Sequence, residues 1–312
     1  MARGFDPVAY LKLFRFPLVF TAIADSAAGY VIATPTMIQP LAMILLAVCS
    51  AGLYFFGMAL NDIVDLERDK VIASNRVLPS GRLTVKSAKI AAGIALGCSL
   101  AAILGILDTP AGFLQRIVVW ALVVLCITAY NVFLKIPLTM GFVRAFNLLL
   151  GVAAGRLITF DIAGQPWQYA ILALPALVYV SSLTYVSTLE DASPSRRKVM
   201  VGAALMSAGA LLAALAGPVL QIVVYFAPFW EAASKFPWAF LFSIILIGWT
   251  VRRAAHADDE KSIMLLVRDG VGGIILLDAA LLASCEDVVS ALMVASLLVP
   301  AALSVAVFKR LA

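Results

Sequence analysis

The chain has 312 residues, 63% of them hydrophobic and 13% charged, and a mean hydropathy of +1.03. Soluble domains are roughly 45–50% apolar and about 25% charged, so a soluble globule, a disordered chain and a disulfide scaffold are excluded. A net charge of +5 fits basic loops on one side of a membrane, and no nucleic-acid partner is expected.

The partner that remains is a lipid bilayer. Only helices and closed barrels satisfy every backbone polar group in lipid. The apolar runs here, such as 41–60 and 288–307, are not the ~10-residue alternating segments of a barrel. The expected fold class is all-α: a polytopic transmembrane helical bundle, one domain over 1–312.

A hydrocarbon core of about 30 Å needs ~20 apolar residues per helix. On that rule ten spans are expected, at 16–34, 40–61, 86–107, 114–133, 139–160, 168–189, 199–226, 236–252, 264–283 and 288–308. Asp25 interrupts the first run and no small-residue cleavage pattern follows, so a retained helix is expected there rather than a signal peptide. The seventh run is long, with Gly217 as an earlier stop, and the ninth carries Asp278. A re-entrant pair near the C-terminus would reduce ten spans to nine.

Charge tests the count. With the N-terminus inside, 20 of the 23 basic residues fall on the inner side, and only Arg116, Arg156 and Lys235 fall outside. The positive-inside rule then places both termini and the acidic connections in the cytoplasm. A bacterial inner membrane is the default location. The aromatic connection 217–238 suits the headgroup layer. The four cysteines show no CxxC spacing and read as packing residues, and His256, within a charged stretch, reads as a solvated loop histidine.

After the second span the chain reads Asn61-Asp62-Ile63-Val64-Asp65-Leu66-Glu67-Arg68-Asp69. On a continuing helix each residue advances about 100°. Asp62, Asp65 and Asp69 then share one face, spaced i, i+3 and i+7. Crowded carboxylates repel one another, and a divalent cation offsets that cost. Oxygen ligands suit Mg²⁺, commonly held by one or two carboxylates with a substrate phosphate. A solvated helix end beside Lys70 is the other reading. In the next segment Arg76 and Arg82 offer guanidinium forks for phosphate. Pro79 and Gly81 make a turn that folds the loop back over the carboxylates, and Ser80 or Thr84 can cap the third helix.

Ionisable residues inside a span are costly and invite a functional reading. Asp25 can accept a hydrogen bond from an acceptor hydroxyl or act as a base, or it can pair with Arg144 or Asn147. Those two, at i and i+3, share a face of the fifth span. Lys135 can reach phosphate from its helix end or serve as a snorkelling anchor. Asp278 is expected to pair within the bundle.

Together, Asn61-Asp62-x-x-Asp65-x-x-x-Asp69 and Asn75-Arg76-x-Leu78-Pro79-Ser80-Gly81-Arg82 resemble the UbiA superfamily of intramembrane prenyltransferases. The resemblance extends to Arg15-Phe16-Pro17, Tyr130-Asn131-x-x-x-Lys135 and Gly141-Phe142-x-Arg144-x-x-Asn147. It implies a bundle, usually of nine spans, around a central cavity. It also implies Mg²⁺-dependent transfer of a prenyl group from a prenyl diphosphate to an aromatic or lipidic acceptor. By that resemblance Asn61, Asp62, Asp65 and Asp69 hold Mg²⁺ and diphosphate, and Arg76, Arg82, Lys135 and Arg144 bind phosphate oxygens. Asp25 and Asn147 face the substrates.

The family's second aspartate motif falls on 187–198. Thr188 and Ser195 stand at two of its three aspartate positions, and Asp191 remains as a metal ligand with Glu190 beside it. A reduced second site is therefore expected, with Arg196, Arg197 and Lys198 as fixed positive charge. Two other readings follow from this departure and from the intramembrane acids. One is a noncatalytic relative that binds or carries a lipidic or aromatic metabolite. The other is an ion-coupled transporter using Asp25 and Asp278. Donor length, acceptor identity and oligomeric state are not written in the sequence.

Overall fold

The structure, a computed structural model, describes residues 6–34, 38–106, 110–155, 167–190, 195–226, 228–286 and 288–311. Among them every regular element is helical. Asp6 caps α1 (Pro7–Leu13) by accepting a hydrogen bond from the Ala9 N–H at 3.0 Å. A 3₁₀ turn (Phe16–Leu18) and α2 (Val19–Ile32) follow across a bend of 48°. Arg15 makes that bend at φ 45° and ψ 48°, a left-handed conformation that costs a non-glycine residue about 1–2 kcal/mol.

The second span is α3 (Pro40–Val64). It does not continue straight through the acidic motif: the helix stops at Asp65, and a short α4 (Leu66–Ile72) starts anew. The loop beyond returns through a left-handed Gly81, φ 69°, a conformation glycine adopts without a Cβ clash. Its Val77, Leu78 and Leu83 bury against Ala9 and Leu13 of α1 and Ala59 of α3. Thr84 caps α5 (Val85–Leu104), accepting from the Ser87 N–H at 3.1 Å. Ser80 does not cap; it donates to the Val77 carbonyl.

The remaining elements are α6 (Pro110–Thr128), running into a π turn (Ala129–Phe133), α7 (Pro137–Ala154), α8 (Trp167–Ser187), α9 (Arg196–Tyr225), α10 (Phe229–Ser234), α11 (Pro237–Ala255), α12 (Glu260–Cys285), α13 (Val288–Ala295) and α14 (Leu298–Leu311). Among the described residues eight helices are long and apolar enough to cross a membrane, and the bent N-terminal segment brings the number to nine. Each expected span overlaps a helix among the described residues, with three differences. α9 does not stop at Gly217 but continues through Pro218. The last span is broken between α13 and α14. α12 carries Arg268, Asp269 and Asp278 and lies outside the apolar set.

That last difference has a physical reason. Residues 273–284 of α12 are all buried, and α2, α8, α9 and α11 pack around it. It is sheathed by protein, so it meets lipid little and tolerates charge where partners stand. The outer helices behave differently. Leu41, Ile44 and Val48 on α3, Ile90 and Ile94 on α5, and Leu114, Val118 and Leu125 on α6 are exposed. Such a belt is stable facing lipid tails.

α2 and α7 cross at two glycines. A Cβ on Gly29 would lie 2.0 Å from the Leu148 carbonyl oxygen, and one on Gly151 would lie 2.0 Å from that of Ser26. Glycine at both positions lets the backbones touch. Further along the same faces, this crossing sets Asp25 beside Arg144 and Asn147.

Candidate active site

The helices enclose a cavity of about 370 Å³, walled by apolar side chains such as Leu53, Val123, Ile127, Val180, Val271 and Ile274. Its polar lining includes Arg15, Ser50, Tyr54, Asn61, Tyr130, Asn131, Arg144, Asn147 and Glu190. An apolar tunnel with a few polar groups suits a ligand with a long hydrocarbon part and a small polar head.

Next to Asn61 the acidic motif is built from three ion pairs. Arg15 Nη2 lies 3.1 Å from Asp62 Oδ1, and Arg76 Nη1 lies 2.6 Å from Asp69 Oδ2. Lys135 Nζ pairs with Asp65. Asp62 and Asp69 are buried, while their cations are about two-fifths exposed. Each aspartate thus meets a cation from a different segment: the bend before α2, the loop after α4, and the loop after the π turn. The helix is interrupted at Asp65, but hydrogen bonds from the Asp65 N–H to the Asn61 carbonyl at 2.9 Å and from the Asp69 N–H to the Asp65 carbonyl at 2.8 Å carry the chain across the turn. Among the described residues no three acidic, histidine or cysteine side chains are gathered so as to hold a metal. The donor set still fits Mg²⁺ by chemistry, since it is all oxygen and Mg²⁺ needs only one or two carboxylates when phosphate supplies the rest.

Arg82 lies further out. Its Nη2 is 2.8 Å and its Nε 3.3 Å from Asp6 Oδ2. That bond and the Ala9 N–H hold the Asp6 carboxyl below its ordinary value of 3.8. In this arrangement Arg82 fastens α1 to the loop and does not line the cavity.

The inner polar group joins four helices. Asp25 is fully buried, with Arg144 Nε 3.0 Å from its Oδ2 and Asn147 Nδ2 donating to the same oxygen at 3.1 Å. Asn147 Nδ2 also donates to the Ala22 carbonyl at 2.7 Å. Ser50 of α3 reaches the Ala22 carbonyl at 2.7 Å and Asn147 Oδ1 at 2.9 Å. Asp278 of α12 lies within hydrogen-bonding reach of Asp25. Of this group Arg144, Asn147 and Ser50 line the cavity; Asp25 stands behind them. Of the two readings of Asp25, the structure shows the pairing with Arg144 and Asn147. A carboxylate this deeply buried needs donors at once.

The structure brings Asn61, Asp62, Asp65, Asp69, Arg76 and Lys135 together, and Arg144, Asn147 and Glu190 onto the cavity wall. Asp191 lies outside the described residues, so the second motif is seen only through Glu190. Sequence reading missed the pairing of Arg15 with Asp62 across 47 positions. It also missed Tyr54, which donates to the Arg15 carbonyl at 3.3 Å. The only signal for either was the place of Arg15 at the start of a matching segment.

Comparison with known proteins agrees with this architecture. Digeranylgeranylglyceryl phosphate synthase of Sulfolobus acidocaldarius is 28% identical over 192 residues, covering 61% of this chain and 66% of that protein. The same-named protein of Methanococcus aeolicus is 42% identical over 82 residues, covering 26% of this chain and 29% of its own. The matches thus span just under two thirds of these relatives or less. A solved UbiA homologue from Archaeoglobus fulgidus bound to GPP and Mg²⁺ superposes with a TM-score of 0.58 at 14% identity, covering 88% of this chain and 99% of that one. A solved structure of digeranylgeranylglyceryl phosphate synthase also gives 0.58 at 18% identity, covering 89% and 97%. At such identities the solved structures speak for the fold. The model of the UbiA prenyltransferase family matches residues 19–268, most of the chain, and the chain belongs to that family.

Proposed function

We propose that this protein is an intramembrane prenyltransferase that moves a prenyl group from a prenyl diphosphate to a lipidic or aromatic acceptor. The observation that carries the reading is the set of three aspartate–cation pairs beside Asn61, at one end of an apolar cavity. Arg15, Arg76 and Lys135 are held by carboxylates and partly exposed. An incoming diphosphate offers them stronger acceptors. With those cations on phosphate, Asp62, Asp65 and Asp69 would be the residues to hold Mg²⁺. When bound, Mg²⁺ neutralises charge on the leaving diphosphate. Arg144 adds positive charge from the inner wall, with Asn147 bracing Asp25 behind it, Glu190 with Asp191 supplies a reduced second acidic set, and the isoprenoid tail lies along Leu53, Ile127 and Ile274. Tyr54 and Tyr130 line the cavity where an allylic cation would form, and their ring faces stabilise positive charge. The apolar wall excludes the water that would quench it. The charged end faces the cytoplasm, by the positive-inside rule.

GPP is the donor bound in the Archaeoglobus fulgidus structure, and the relatives are named for a glyceryl phosphate product. Both support a prenyl diphosphate donor and favour a lipidic acceptor. The reduced second motif, with Thr188 and Ser195 at two of its aspartate positions, favours a second reading, a carrier that binds a lipid without chemistry. Purified protein, GPP, Mg²⁺ and a panel of lipidic and aromatic acceptors separate the two. Transfer should release diphosphate, stop on chelation, and fall about 10–100-fold or more in Asp65→Ala. Metal-independent GPP binding that Asp65→Ala leaves unchanged, with no diphosphate released, would establish the carrier.

A further inference from the structure

Asp25 and Asp278 are both fully buried, on α2 and α12, and their carboxyl groups face each other. Among the described residues neither oxygen of Asp278 receives a hydrogen bond, and Asp25 Oδ1 also lacks a donor. Buried carboxylates do not persist without donors. The charged groups that face the pair are few. α7 contributes Arg144, whose ion pair goes to Asp25. α8 and α13 contain no charged residue, and the basic residues of α9, α11 and α14 lie at helix ends: 196–198, 252–253 and 309–310. One cation therefore faces two acids. Two adjacent anions in a low-dielectric interior repel too strongly for both to ionise, and such pairs titrate as a unit sharing one proton.

We propose that Asp278 is a protonated, neutral acid that donates a hydrogen bond to Asp25, and that the pair, carrying one negative charge in all, is the device that positions Arg144. Asp278 acts through Asp25; it is a positioning residue and touches no substrate. The arrangement satisfies Asp278, supplies a donor for Asp25, and makes the triad neutral overall, which suits a bilayer interior. It also explains why α12 keeps an acid among residues that are otherwise apolar. Arg144 Nε and Nη2 are both buried and make no hydrogen bond among the described residues, so the 3.0 Å ion pair from Nε to Asp25 is what holds the guanidinium. Arg144 lines the cavity, and Tyr54 lies in the field of both Arg144 and Arg15. Held in this way, Arg144 stays on the cavity wall, where a phosphate oxygen would meet it. The phosphate role rests on the transferase reading; the shared proton does not.

Two measurements on the full chain test this. Infrared spectra at neutral pH should show a protonated-carboxyl C=O band that Asp278→Asn removes. Asp25→Asn should remove it too, because Arg144 then takes the one remaining carboxylate. An unchanged band in Asp278→Asn would overturn the proposal. The second measurement is GPP affinity with Mg²⁺ present. Asp278→Asn, whose amide N–H replaces the acid O–H, should stay within about threefold of wild type, and Asp278→Ala should weaken binding roughly tenfold. Equal weakening in both variants would contradict a role as hydrogen-bond donor. If GPP fails to bind even wild type while the band behaves as expected, the transferase reading falls and the shared proton stands.

Discussion

At the scale of single residues, the cost of isolated charge near a membrane organises the site. Asp62, Asp65 and Asp69 follow one another closely in the chain, yet each is neutralised by a cation from elsewhere. The spacing of the aspartates was legible because motif and spacing are properties of the chain. The pairing of Arg15 with Asp62 was not, because it depends on a left-handed backbone at Arg15 and on a contact far apart in sequence. The Asp6–Arg82 pair gives a pH dependence of definite sign. A carboxyl held below 3.8 in the folded chain contributes stability above that value and loses it as pH falls through the lowered one. Docking of α1 should therefore be intact at neutral pH and weaken below about 3.8. Hydrogen exchange over residues 7–13, corrected for intrinsic rate, would show it, and Arg82→Gln should reduce the change, leaving the part due to the Ala9 N–H.

At the scale of elements, helix crossings decide which residues meet. Periodicity placed Asp62, Asp65 and Asp69 on one helix face; the helix is interrupted at Asp65, and each carboxylate takes its own cation. Periodicity holds for Arg144 and Asn147, which sit inside an unbroken α7 and share the face turned to Asp25. The crossing of α2 and α7 depends on glycine, since a Cβ at Gly29 would run into the Leu148 backbone. Gly29→Ala should lower stability by about 1–3 kcal/mol and weaken GPP binding by moving Arg144. Gly97 on α5 is the contrast, because nothing lies within 4 Å of the position its Cβ would occupy. Gly97→Ala should raise stability by roughly 0.5–1 kcal/mol through helix propensity. Thermal unfolding in detergent compares the two. Equal effects would remove the crossing from the account.

At the scale of the molecule, the bundle is an apolar shell around a cavity with charge concentrated at one end. Such a shape sets the length of hydrocarbon it accepts. Val271 of α12 lines the cavity and is only partly buried, so a larger side chain there can enter the free space. Val271→Trp should lower transfer from long prenyl diphosphates more than from GPP. One extra or missing methylene in an apolar pocket changes selectivity by roughly tenfold or more, so the ratio of kcat/KM for two donor lengths should shift at least that far. An unchanged ratio would place the tail elsewhere.

Composition alone made this a membrane bundle, because 63% hydrophobic residues leave too little polar surface for water. Apolar length gave the spans, and the spacing of acidic and basic residues gave the family. These are properties of composition and local order, which the chain carries wherever it folds. Three things waited on the tertiary structure: the cation assigned to each aspartate, the protein sheath that lets α12 keep Asp278, and the retreat of Asp25 behind Arg144. Each depends on distances between segments remote in sequence, and those distances are set by how helices cross and pack.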